Sequence, residues 1–277
     1  MYINNTMSQT KGLKRNTVDK FYTKPSVVSD CLKAFTHHIK LDKNDILIEP
    51  SAGNGAFIGE MRKTGNASLF YDIEPENDDI VRQDYLTLKP ETIKCAYHVI
   101  GNPPFGRQSS LAIKFIKKSC QFCYSVSFIL PKSFKKDSLK KHFPPEYHLI
   151  HEDDLPEKSF LMNGEEHDVP CVFQIWEKKN MLRHVIPKLT PTNFTFVKKD
   201  ANPDISFRRV GVNAGTVSRD IDNKSEQSHY FIKFEDGFLT DSLYEKIANI
   251  IYDCSSNTVG PKSISKQELI KEFKVVF

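Results

Sequence analysis

Ala96-Tyr97-His98-Val99-Ile100-Gly101-Asn102-Pro103-Pro104-Phe105 joins an apolar run to a rigid polar corner. The run Ala96 to Ile100 reads as a buried strand. Two prolines in succession lack amide protons and fix φ, so the backbone beyond the strand can enter neither helix nor ladder. The Asn102 carboxamide and the Phe105 ring are therefore held at the strand's C-terminal edge, where open α/β sheets bind ligands. The Asn102 side-chain carbonyl and the carbonyls of the stiff turn can accept hydrogen bonds from an amino group, while Phe105 can stack on a planar ring. Such a corner suits a nucleobase carrying an exocyclic amine. Taken alone, the tetrapeptide reads first as a turn; the segment about fifty residues upstream changes the balance.

That segment is Glu49-Pro50-Ser51-Ala52-Gly53-Asn54-Gly55-Ala56-Phe57, at the end of the apolar run Ile46-Leu47-Ile48. A G-x-G turn between strand and helix lets backbone pass close to a ligand, where a Cβ would obstruct it. The spacing is not G-x-G-x-x-G, because Gly59 falls one residue late. A carboxylate at the strand tip repels a pyrophosphate and attracts an ammonium. Glu49 thus argues against a dinucleotide and for a cofactor bearing a cationic amino acid group. The next strand tips carry Asp72, placed where an acid takes the two hydroxyls of a ribose, and Asp84, whose carboxylate could accept from an adenine amino group. Each acid alone is more often a helix cap or a solvated loop residue. Three at successive strand tips form a pattern.

From Asp45 to Lys178, apolar runs and turn signals alternate in a βαβ rhythm. Ile46 to Ile48, Ala67 to Tyr71, Ala96 to Ile100 and Tyr124 to Leu130 predict buried parallel strands. Ala56 to Lys63 and Ser109 to Ser119 predict helices, and Lys132 to His142 a further helix with a basic face. Tyr147 to His151 and Val169 to Trp176 predict two last strands, with Asn163-Gly164 in the loop between them. The rhythm specifies a doubly wound sheet with helices on both faces. It stops near Asn180, and Thr190 to Asn193 reads as a linker. Short aromatic or β-branched segments follow (Phe194 to Val197, Ile205 to Val212, His229 to Phe234), then a helical pattern from Asp241 to Asp253.

The chain has 277 residues, of which 39% are hydrophobic. That suffices for one large domain or one domain with a smaller companion. No apolar run reaches membrane-spanning length, and Met1 to Lys20 lacks the apolar core of a secretory signal. The expectations are an intracellular protein, neither secreted nor membrane-bound, with a disordered lead-in over 1–19. Six cysteines lie mostly within apolar runs, as free thiols do in a reducing compartment. Cys120 and Cys123 form a lone C-x-x-C without a second pair, so no metal is expected. The net charge is only +4, yet Arg107, Lys114, Lys117, Lys118, Lys132, Lys135, Lys136, Lys140 and Lys141 face a single acid, Asp137, within 106–141. Such a block suits a polyanion or a solvated helix face about equally. Arg208 and Arg209, beside Gly211, are candidate phosphate contacts, or simply an exposed strand with a tight turn.

Six elements, taken in order, resemble S-adenosylmethionine-dependent amino-methyltransferases, in particular the DNA adenine methyltransferases whose cofactor motifs precede the catalytic one. Phe21-Tyr22-Thr23-Lys24-Pro25 looks like their N-terminal cofactor motif. Glu49 to Gly55, with Ser51, Gly53 and Gly55, looks like the glycine motif; Asp72-Ile73-Glu74 like the ribose-binding acid; and Asp84-Tyr85 like the adenine-contacting acid. Asn102 to Phe105 looks like the catalytic signature. Val126 to Phe134, including Lys132, resembles the wall of a base pocket. The resemblance implies a Rossmann-like class I fold, with a seven-stranded, mostly parallel sheet whose last strand is antiparallel. The methyltransferase domain would occupy 20–180 and a small α+β appendage, binding substrate or nucleic acid, 181–277. It implies S-adenosylmethionine as cofactor and transfer of its methyl to the adenine amino group in DNA. Two alternatives stay open: the same chemistry on RNA, and a nucleic-acid-binding module that keeps the fold without turnover. Whether the chain acts alone or with a partner subunit is likewise open.

Overall fold

The computed structural model describes residues 21–91, 95–185 and 187–277; the lead-in expected over 1–19 lies outside them. In chain order the strands are β1 (Tyr22–Thr23), β2 (Ile46–Glu49), β3 (Ala67–Asp72), β4 (Val81–Arg82), β5 (Tyr97–Gly101), β6 (Ser125–Pro131), β7 (Tyr147–Asp154), β8 (Phe160–Met162), β9 (Glu165–His167), β10 (Cys171–Lys178), β11 (Phe194–Val197), β12 (Ile205–Arg208), β13 (Val217–Ser218) and β14 (His229–Phe234). The helices are α1 (Pro25–His38), α2 (Ile58–Arg62), α3 (Ser110–Ser119), α4 (Asp137–Lys140), α5 (Asp241–Ala248) and α6 (Lys266–Val276).

Seven strands form one sheet in the order β4-β3-β2-β5-β6-β10-β7. Neighbours from β4 to β6 run parallel, and β10 lies antiparallel to both β6 and β7. This is the Rossmann-like methyltransferase fold expected above, and the order reverses between β2 and β5. The central strands are continuous apolar runs because both faces are covered: every residue of β5 and β6 is buried. On one face α1 presents Val27, Val28, Cys31, Leu32 and Phe35 to Leu47, Ile100, Ile129, Phe173 and Ile175. On the other, α3 presents Ala112, Phe115 and Ile116 to Val99, Val126 and Phe128. Removing the fully buried Phe35 ring would cost about 3–5 kcal/mol.

At the N-terminal edges of these strands, His98 Nδ1 lies 2.8 Å from Ser125 Oγ and Nε2 3.3 Å from Asp45 Oδ2. With a carboxylate at Nε2, that nitrogen carries the proton and Nδ1 accepts from Ser125. The trio has the composition of a nucleophilic triad but no access for a substrate, since all three residues are buried. It ties three strands together.

Three elements depart from the sequence-based expectations. The stretch 132–142 is a 3-10 turn (Lys132–Lys135) and the single turn α4, not one helix. The loop after β7 contains a hairpin, β8 and β9, turned by Asn163 and Gly164, both at positive φ. Its strand β8 pairs with β1, making a separate three-stranded sheet. Helix α1 falls before the rhythm begins at Asp45. Its start follows from Pro25 at the first helical position, where the missing amide proton costs nothing.

Beyond Leu189 a further apolar cluster forms around Phe194, Ile205, Phe207, Ile232, Tyr252, Leu269 and Phe273. It fills the space between the antiparallel sheet β11-β14-β12-β13 and α5 and α6. Lys136 reaches this part from the main sheet: its Nζ donates to the Ser263 carbonyl at 2.8 Å and pairs with Glu268 at 3.3 Å. No helix among the described residues is long and apolar enough to cross a membrane.

Candidate active site

Two strand ends meet at the order reversal. The Ser51 hydroxyl, in the glycine hairpin after β2, donates to the Asn102 backbone carbonyl after β5 at 3.1 Å. Gly101 lies so close to Glu49 that a Cβ there would stand 3.1 Å from Glu49 Cγ. The hairpin is held from below by Asp72, whose Oδ2 accepts from the Gly53 amide at 2.8 Å and whose Oδ1 accepts from the Glu74 amide at 2.8 Å. Gly53 and Gly55 have φ of 52° and 87°, in the region that favours glycine.

Segment 21–23 roofs the hairpin. The Tyr22 ring lies over Gly53, 3.3 Å from where a Cβ would be, and its hydroxyl donates to Glu76 Oε1 at 2.6 Å. The neighbouring Thr23 is buried, and its Oγ1 accepts from Asn102 Nδ2 at 3.2 Å; the Phe21 carbonyl stands 3.5 Å from the same nitrogen. Asn102 is thus oriented through its amide nitrogen, and its Oδ1 takes no hydrogen bond among the described residues. Neither does the Pro103 carbonyl. Pro103 is buried and Pro104 exposed, while Phe105 is half-buried against both faces of the core. Beyond Phe105 the chain turns through Gly106, Gln108 and Ser109, all at positive φ. Two successive non-glycine residues in that region are strained. The Phe105 carbonyl, which accepts from the Leu111 amide at 3.0 Å, anchors the start of α3.

Glu49 is buried, and its Oε2 has no hydrogen-bond partner. Burial, with a smaller push from Asp72, raises its carboxyl well above the usual range. An orphaned buried acid is costly, and a cationic ligand at this strand tip would offset that cost. Ile73 leaves its side chain exposed beside the hairpin.

Several sequence-predicted residues stand otherwise than expected. Tyr85 is a core residue, with its hydroxyl 2.9 Å from Ser119 Oγ and its ring stacked on Phe115; it offers a ligand no surface. Asp84 caps the short 3-10 turn (Tyr85–Thr87) by accepting from the Leu86 amide at 2.9 Å, the ordinary cap named above as its alternative. Lys132 pairs with Asp154 at 3.1 Å. Lys135 pairs with the same acid, Lys140 with Glu152 and Lys136 with Glu268. Three of the block's nine cations, Lys132, Lys135 and Lys140, are therefore neutralised by the acidic strand β7. Arg208 closes its own turn, Nε donating to the Val210 carbonyl at 2.8 Å, and Arg209 donates to the Gln227 carbonyl at 2.9 Å. Sequence reasoning missed Gly101, Glu76 and the hairpin against β1. Asn163-Gly164 was the available signal for the last, being a strong turn dipeptide between strand pairs.

This topology, with a glycine hairpin and a polar diproline corner at the point of order reversal, is the class I methyltransferase-like fold. Residues 57–185 match the EDM2 methyltransferase-like domain. The match begins just past the glycine hairpin. A curated relative, the protein ENHANCED DOWNY MILDEW 2 of Arabidopsis thaliana, is 25% identical over 179 residues. That alignment covers 60% of this chain but only 13% of the longer relative. Among solved structures, PH1948 of Pyrococcus horikoshii, assigned as an RNA methyltransferase, is 14% identical with a TM-score of 0.46, over 61% of this chain and 92% of that one. The N-methyltransferase NodS of Bradyrhizobium japonicum is 9% identical with a TM-score of 0.39, over 56% and 94%. At these values neither bears on the substrate.

Proposed function

We propose that the chain transfers a methyl group from S-adenosylmethionine to the exocyclic amino group of adenine in DNA. The observation that carries this reading is Asn102: its amide nitrogen is spent on Thr23, and its carbonyl oxygen is left to accept. Together with the free Pro103 carbonyl it offers two acceptors on a rigid frame. That arrangement suits an amine whose lone pair is delocalised into an aromatic ring.

The residues present fit the cofactor. The orphaned Glu49 carboxylate would take its ammonium, the glycine hairpin would pass beneath it, and the second lone pairs of Asp72 together with the open Oδ2 of Asp84 would serve its ribose and base. Ile73 would cover an apolar edge. When bound, S-adenosylmethionine supplies a methyl already attached to a positively charged sulfur, so the leaving group needs no activation. The chain's own task is alignment. Hydrogen bonds from the amine to Asn102 Oδ1 and the Pro103 carbonyl favour a pyramidal nitrogen and stabilise the positive charge growing there. The excess proton can then leave to solvent, so no strong base is required. In duplex DNA the base must first leave the stack, and Phe105 would hold it by stacking worth roughly 1–3 kcal/mol.

Methyl-labelled S-adenosylmethionine, incubated with matched DNA and RNA and followed by nucleoside digestion and mass analysis, tests the proposal. Label on deoxyadenosine is expected. Label on adenosine from RNA alone would reassign the polymer. No label on either, with cofactor affinity intact, would leave only the binding-module reading.

A further inference from the structure

Lys132, Lys135, Lys136 and Lys140, beside the main sheet, are answered by carboxylates; the cations of one cleft in the C-terminal part are not paired in this way. A cavity of about 290 Å3 opens beside β11 and β14, lined by Phe196, Lys198, Arg209, Glu226, Tyr230 and Lys266 among others. Lys198 and Lys266 are exposed and Arg209 is half-buried. None of the three forms an ion pair among the described residues, although Lys132, Lys135, Lys136 and Lys140 all do. Glu226 is the one acid in the lining, against three cations. Two of the cations, Lys266 and Arg209, lie over aromatic rings instead. Lys266 Nζ is 4.4 Å from the Phe196 centroid and 5.6 Å from that of Tyr230, and the Arg209 guanidinium is 5.5 Å from Tyr230.

We infer that this cleft binds the phosphodiester backbone of a single-stranded nucleic acid. Glu226 is one acid against three cations, so the lining keeps a net positive charge that suits an anion. A bare anion would leave Phe196 and Tyr230 without a use, whereas a nucleotide matches both halves of the lining. Phosphates meet Lys198 and Arg209 Nη1, the guanidinium nitrogen not spent on the Gln227 carbonyl, a base takes the ring face, and Lys266 pivots on its flexible stem from the rings to the next phosphate. Single strands are favoured because stacking on a side chain requires an unpaired base. The cleft is formed by different residues from the diproline corner and is argued independently of the methyl acceptor.

The test is fluorescence anisotropy of the full chain with a labelled twelve-residue oligothymidylate. Thymine has no exocyclic amine, so the readout is indifferent to the proposed methyl transfer. The double variant Lys198→Ala/Lys266→Ala is expected to bind at least tenfold more weakly in 50 mM salt. Its salt slope should flatten by about 1.4, the share of two phosphate contacts on a single strand. The variant Lys271→Ala/Lys274→Ala removes the same charge from exposed positions on α6 and should bind like the parent. Equal losses in both variants, or none in the first, would overturn the assignment. So would an oligoglutamate of the same length that competes as well as the oligonucleotide. Thermal melting of both variants distinguishes lost binding from lost fold, and Lys198→Arg/Lys266→Arg should restore affinity.

Discussion

Thr23 Oγ1 accepts a hydrogen bond from Asn102 Nδ2 at 3.2 Å, so a residue from the first described strand sets the rotamer of one at the end of the fifth. The bond decides which end of the carboxamide is left free to accept. Without it the amide can flip and present a donor to a donor. Thr23→Val keeps the volume and is expected to lower the single-turnover methylation rate by roughly tenfold, one hydrogen bond's worth, with cofactor affinity unchanged. Thr23→Ser should retain most of the rate. Asn102→Ala should abolish transfer and still bind cofactor; calorimetry alongside the rate assay checks both.

Glu49 gives a pH signature. Its folded-state carboxyl is raised by burial and by Asp72 above its ordinary value of 4.5. The folded chain therefore holds this proton more tightly than the unfolded one. Stability from this site is complete below about 4.5 and declines as pH rises through the raised folded value. Glu49→Gln should melt higher than the parent at pH 8 and alike at pH 4. The same substitution should weaken S-adenosylmethionine binding by at least about tenfold, because a charge-assisted contact is lost. A variant with unaltered affinity would remove Glu49 from the cofactor site.

His98 works in the opposite direction. Burial, opposed by Asp45, depresses its ring below the ordinary 6.5. The unfolded chain then takes up the proton first, and stability is lost as pH falls below 6.5. Thermal melts between pH 7.5 and 5 should show this slope. In His98→Asn it should flatten, on a lower baseline, because Ser125 and Asp45 lose their common partner.

Lys136 is expected to matter for cohesion rather than chemistry. Replacing it by Met removes its contacts to the Ser263 carbonyl and Glu268 while keeping the stem. A loss of about 1–3 kcal/mol follows from stranding those half-buried partners. Differential scanning calorimetry should show a lower melting point, and limited proteolysis faster cleavage around 180–190. A parent-like melting curve and cleavage pattern would contradict this.

Much of the sheet was legible because its inner strands are buried on both faces. The runs at Ile46, Tyr97 and Ser125 are too apolar and too short to be anything else, and the corner after Gly101 is marked by its prolines. The roof was not legible. Strands of two or three residues, such as β1 and β8, carry no period, and their partners lie far apart in the chain. For a related reason the charge block was legible only as a count: a count does not reveal that β7 will lay Glu152 and Asp154 beside Lys132, Lys135 and Lys140. Tyr85 was misassigned because a motif places a residue along the chain, not on a face of the fold.

The pairing of Tyr22 with Leu161 has a consequence for biogenesis. While the ribosome is still extending the chain toward His167, the stretch that will orient Asn102 has no β8 to dock on. A nascent polypeptide that has already threaded its diproline corner would carry a freely rotating carboxamide. The orientation of Asn102 is thus set late in synthesis, after the hairpin has emerged and captured a segment made long before.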